Sequence, residues 1–290
     1  GEYKNIFGCG KAVVYGTNAT QAQILRINPF AFPSEIHVLE HIDRLVEIFN
    51  ACWPMYAAMP AILKDAMERC YKEAGWDLRH STSNRGGVFP TFYDLLDILP
   101  SVIEESRYSN DTQSDYIGAL YTRVKSLTNG IYGSVLCAED ALDDAELFDR
   151  NVIVDMSRVG SSETKSLLMG ILVMKLQEYR MCSGMMNSEL RHITVLEEAH
   201  NLLRRTSDSQ FQESANLQGK SVEMLTNAIA EMRTYGEGFI VADQAPGLLD
   251  PAVIRNTNTK IILRLPEEED RRLVGKAAGL NEQQIHELAK

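Results

Sequence analysis

The stretch "RHITVLEEAHNLLRR", residues 191 to 205, decides how this chain is read. A β-rich run from Ile193 to Leu196 stops abruptly at two carboxylates, Glu197 and Glu198, followed by Ala199, His200 and Asn201. Paired acids at the tip of a buried strand can order a magnesium ion and activate a water, although such a pair can equally be a solvated turn. His192 and His200 flank the strand and share no helical face, so "EEAH" is a poor match to a zinc protease site.

Outward from this stretch, short β-rich runs alternate with long helical ones. The runs are "NVIVDM", "HITVL", "GFIVAD" and "TKIILRL". The helices between them are "SSETKSLLMGILVMKLQEYRM" and one ending in "GKSVEMLTNAIAEMRTYG". Continuous apolar strands separated by helices are what a parallel sheet covered on both faces requires. This α/β part covers residues 149 to 290. It is joined by the start of the chain, residues 1 to 35, where "KAVVYG" adds one more strand.

Residues 36 to 148 read instead as an all-helical insertion. "HVLEHIDRLVEIFNACW" places Val38, Ile42, Leu45, Val46 and Phe49 on one stripe. "AAMPAILKDAMERCYKEAGW" repeats the pattern with Ile62, Leu63, Ala66 and Cys70 and stops near Gly75. Thr91 is placed to cap the next helix, and Pro100 is expected to interrupt or end it. Asn129-Gly130 marks a turn.

Composition excludes several classes. The 290 residues suffice for one large domain or two ordinary ones, and 44% hydrophobic with 24% charged residues is ordinary for a globular protein. No apolar run approaches the ~18 residues of a membrane span, and no secretory pattern follows Lys4. Five scattered cysteines, never paired as C-x-x-C, argue for the cytoplasm and against a disulfide framework or a zinc cluster. A net charge of −11 argues against a surface coated in nucleic acid, yet leaves room for a local basic track.

A nucleotide site would also need a glycine-rich phosphate loop, G-x-x-x-x-G-K-[ST], between a strand and a helix. Two segments fall short of it. "NIFGCGKA" has Gly10 and Lys11 but Asn5 for the first glycine and Ala12 for the hydroxyl. "SANLQGKS" has Gly219, Lys220 and Ser221 but follows no strand, and its surroundings read as a helix.

"ITVLEEAHNLL" followed by "AEMRTYGEGFIVADQAPGLLDPAVIRNTNTKIILRL" resembles the ATPase core of the HerA/FtsK group of hexameric DNA translocases, which is related to the type IV secretion ATPases. "NVIVDMSRVGSSETKSLLMGILVMKLQEYR" resembles the strand and helix that precede the acidic Walker B strand there. The opening "GEYK" resembles a stretch downstream of the phosphate loop. The resemblance covers residues 149 to 290 densely and 1 to 30 thinly; residues 36 to 148 correspond to a variable insertion.

The resemblance implies a RecA-like P-loop NTPase core with a mainly parallel sheet plus the large all-α insertion, using ATP and Mg²⁺. It also implies a fragment that begins after the phosphate loop and is nearly inactive alone. Glu197 takes the position that orders Mg²⁺ through water, and Glu198 that of the base for the attacking water. Gln244, ending "GFIVADQ", can touch both the γ-phosphate and that water. Arg233 is the candidate arginine finger toward a neighbouring subunit, ahead of Arg255 and Arg264. Asp155 ends a parallel strand where α/β folds place cofactors, a position that a helix cap also explains. His200 either supports the site or is structural. Arg204, Arg205 and Lys220 could contact DNA phosphates in a ring channel, or lie on an ordinary surface loop. The expected function is a hexameric DNA translocase or helicase-like motor subunit. The alternatives are a protein-moving secretion or conjugation ATPase, and a non-catalytic scaffold binding a partner nuclease.

Overall fold

The computed structural model describes residues 12–20, 22–56, 58–183, 185–205 and 212–290. "GEYK" and the Gly10-Lys11 pair lie outside them. The chain is a helix-rich α/β protein with small parallel sheets, and it divides into two compact units.

The first unit comprises Gly1–Phe49 and Met55–Cys182. Its sheet has the order β2-β1-β5, all parallel, with β1 at Val13–Gly16, β2 at Gln23–Ile24 and β5 at Val152–Asp155. The register pairs Val13 with Val152 and Gly16 with Asp155. In sequence, seven α-helices lie among the described residues between β2 and β5, including α1 (Val38–Cys52), α2 (Met59–Glu73), α3 (Phe92–Glu105) and α7 (Asp144–Phe148). A short antiparallel ladder, β3 (Trp76–Asp77) with β4 (Thr82–Ser83), follows α2. The expected stripes are the ones that pack. Val38, Ile42, Leu45 and Phe49 are fully buried, as are Leu63 and Ala66 on α2. That helix stops at Gly75, whose φ of 90° an L side chain would resist.

Thr91 caps α3 through a reciprocal box: its hydroxyl accepts from Tyr93 N–H, and Asp94 accepts from the Thr91 N–H. Pro100, however, does not end α3, which continues to Glu105. A mid-helix proline costs about 3 kcal/mol. Buried Leu95, Ile98 and Leu99 before it and Ile103 after it hold the helix through that penalty. After α5 (Thr122–Thr128), Gly130 at φ 55° starts α6 (Gly130–Leu136), as the Asn129-Gly130 signal implied.

The unit's interior is also polar. Three consecutive carbonyls of the buried segment after β2 accept from side chains of three helices: Pro29 from His41 on α1, Phe30 from Tyr71 on α2, Ala31 from Lys175 on α8 (Ser162–Ser183). His41 also donates to Glu178 at 2.9 Å, and Arg44 joins the same carboxylate at 3.2 Å. Backbone carbonyls in a core need partners, and here long side chains supply them where no strand does.

The second unit comprises Asn50–Pro54 and Ser183–Lys290. Strand β6 (His192–Glu197) pairs in parallel with β7 (Glu237–Ala242), in register from His192 opposite Glu237 to Glu197 opposite Ala242. Between them runs α9 (Gln212–Glu231), with Val222, Leu225, Ile229 and then Met232 buried. Short helices α10 (Pro251–Asn256), α11 (Glu268–Ala277) and α12 (Glu282–Glu287) complete the unit. The run "TKIILRL" forms no strand, contrary to expectation, and Ile261 and Leu263 are 87% and 79% exposed. A strand exists only when laddered to another, and among the described residues this run ladders with no strand.

Candidate functional site

The site forms where β6 and β7 end side by side. Parallel pairing puts both carboxyl ends at one edge, so the residues after Glu197 and after Ala242 converge there. The chain turns sharply at Glu198, which adopts φ 50°, ψ 47° in the left-handed region. For a non-glycine residue that costs about 1–2 kcal/mol. Asn201 holds the turn: its backbone N–H and its side-chain amide both donate to the Glu198 carbonyl, at 2.9 and 2.8 Å. Left-handed residues retained against their cost concentrate at functional sites.

The turn delivers the Glu198 carboxylate, 47% exposed, to the end of β7. There Gln244 Nε2 donates to its Oε1 at 3.0 Å. Oε2 makes no hydrogen bond among the described residues; His200 Nδ1 lies 3.7 Å from it. A carboxylate oriented through one oxygen and open at the other is equipped to receive a proton from water. Glu197, one residue earlier, is also exposed. Two oxygen-donor carboxylates fit magnesium, which keeps most of its waters and takes one or two protein carboxylates. Among the described residues no group of three or more His, Cys, Asp or Glu side chains converges as a dedicated metal cage.

The structure thus brings Glu198 and Gln244 together and adds Asp243, which sequence reasoning passed over. The Asp243 side chain is buried and receives the backbone N–H and ring Nδ1 of His200 at 2.8 and 2.9 Å. The available signal was its place in "ADQ": an acid directly before a strand-ending glutamine, at the same sheet edge as "EEAH". His192 is occupied elsewhere, 2.8 Å from buried Glu237 at the opposite end of the strands. It stands about 16 Å of strand from the acids, too far for a shared metal.

Asp155 belongs to the first unit, at the carboxyl end of β5. Its Oδ1 accepts from the backbone and hydroxyl of Ser157. It does not cap the next helix; the Ser161 hydroxyl accepts from Thr164 N–H there. Arg233 is exposed in the 3-10 turn after α9, which Gly236 closes at φ 83°. Arg264 donates to the Ala289 carbonyl at 3.1 Å, and Arg255 is exposed on the last turn of α10. Arg204 and Arg205 are exposed beside Leu248 and Leu249, to which their backbones bridge. The polar stretch that follows, residues 206 to 211, lies outside the described residues. Gly219, Lys220 and Ser221 sit inside α9, where backbone N–H groups are spent on the helix and cannot cradle phosphate.

No helix among the described residues is long and apolar enough to cross a membrane. No protein-family profile matches the chain. No curated protein matches it either. Among solved structures, VirB4 of Thermoanaerobacter pseudethanolicus matches all of this chain over 74% of its own, with a TM-score of 0.71 and 19% sequence identity. At that identity the likeness is one of fold.

Proposed function

We propose that this chain carries the hydrolytic half of an ATP-driven motor of the secretion or conjugation type, built on a RecA-like P-loop core. The observation that carries the reading is the Gln244–Glu198 hydrogen bond of 3.0 Å across the ends of two adjacent parallel strands. Phosphoryl transfer demands little of a protein beyond positioning and charge. Glu198 accepts the water's proton at Oε2 while Gln244 fixes Oε1. Glu197 would hold magnesium, which when bound would supply positive charge against the phosphates. Arg233 reaches the nucleotide of a neighbouring subunit in a hexameric ring, for which a permanently charged planar donor suits. Arg204, Arg205 and Lys220 face the transported polymer. The fold shared with VirB4 supports this reading over a HerA-like DNA translocase or a scaffold for a nuclease.

The test is Mg²⁺-dependent ATP hydrolysis by the full-length protein, with and without DNA. Glu198→Gln is expected to lower kcat by about 10²–10⁴-fold with little change in ATP affinity. Absence of turnover in the wild type, or wild-type turnover in the variant, refutes the hydrolase. Strong stimulation by DNA replaces the secretion reading with a DNA translocase.

A further inference from the structure

Asp243 lies between β7 and Gln244, its side chain only 3% exposed. Its Oδ2 accepts from the His200 backbone N–H at 2.8 Å and faces His200 ring Nδ1 at 2.9 Å. Its Oδ1 accepts from the Ala245 backbone N–H at 2.9 Å. An ionised carboxylate only accepts, so Nδ1 is the ring nitrogen that carries a proton. That same nitrogen stands 3.7 Å from Glu198 Oε2: too far to bond, near enough for a small ring rotation to close the gap. His200 therefore stands between two acids, and the buried one holds it.

We infer that Asp243 is a positioning residue which, by gripping His200, keeps the imidazole off Glu198 Oε2 and leaves that oxygen to the attacking water. The inference rests on the hydrolase reading above. Without Asp243, the nearest remaining carboxylate for the ring N–H is Glu198. A hydrogen bond there would occupy the oxygen that must take the proton. Gln244 would still hold Oε1, so the carboxylate would be bonded at both oxygens and poorly placed to act. The adjacent residues Asp243 and Gln244 thus perform complementary tasks, one restraining the histidine and one orienting the glutamate.

The kinetic test compares Asp243→Ala with the double variant Asp243→Ala/His200→Ala in the full-length protein. The single change is expected to lower kcat on the order of ten- to a hundredfold, with KM for ATP within about twofold. Removing the released imidazole as well restores most of the rate. A double variant as slow as the single one, or slower, overturns the inference, because loss of packing alone is not repaired by a second truncation. A second measurement is independent of turnover and of whether the variants fold: ¹⁵N NMR of the wild-type His200 ring. A proton on Nδ1 supports the grip by Asp243, and a proton on Nε2 alone overturns it. If the wild type hydrolyses no ATP, the hydrolase reading falls, and the ring measurement still decides the Asp243–His200 contact.

Discussion

The left-handed backbone at Glu198 inverts the usual ranking of alanine and glycine. Glu198→Ala and Glu198→Gly both delete the carboxylate and its contact with Gln244, so they differ only by a Cβ atom. At φ 50° that atom is held against the following carbonyl, a penalty of about 1–2 kcal/mol that glycine escapes. Glycine loses about 0.5–1 kcal/mol more chain entropy on folding. The net expectation is that the glycine variant is the more stable by roughly 0.5–1 kcal/mol, or about 2–4 °C in Tm for a unit of this size. At most helix and strand positions alanine would win instead. Thermal unfolding of the two variants in parallel, followed by circular dichroism, reads the difference directly, and both should be inactive in ATP hydrolysis. An alanine variant as stable as the glycine variant would show that Glu198 is not strained, and the argument from retained strain to function would go with it.

Three further expectations concern the first unit. Glu178→Gln removes the charge that His41 and Arg44 share in a fully buried place, at a cost of roughly 3–5 kcal/mol, or about 6–20 °C in Tm. Glu40→Gln, on the exposed arm of Arg44, should cost no more than ~1 kcal/mol, and equal costs for the two would refute the burial argument. Burial alone would raise the Glu178 carboxyl, but His41 and Arg44 outweigh it and hold the group below its ordinary 4.5. Its stabilising effect is therefore present above that pH and lost as pH falls through the depressed folded value, so Glu178→Gln should flatten acid destabilisation below about 4.5. Burial also pushes the thiols of Cys137 and Cys182 up to about 11. Iodoacetamide should alkylate both slowly near neutral pH in the native protein, and rapid labelling of either by peptide mass spectrometry contradicts that assignment.

Local pattern carried much of the fold. Period and composition sufficed for the strands at 152–155, 192–197 and 237–242, for the stripes of α1 and α2, and for the Thr91 cap, because each depends on neighbours within a few residues. Pro100 and "TKIILRL" went otherwise, because each depends on partners distant in sequence. A proline stays inside a helix when the core on either side holds it, and an apolar run becomes a strand only beside another strand. Family resemblance assigned Glu198 and Gln244 to one site, but their hydrogen bond across 46 residues follows from the parallel pairing of β6 with β7, which spacing does not state.

The sequence by itself determined the buried stripes of α1 and α2, the start of α3 at Thr91, and that acids and a glutamine end successive β-rich runs. Only the tertiary structure decided that Glu198 is bent into a left-handed turn and that its Oε1, not Oε2, is taken. It alone showed that the buried side chain of Asp243 meets the backbone N–H and ring Nδ1 of His200. Burial and hydrogen-bond geometry are properties of the packed assembly, and residue order states them only where the partners are local.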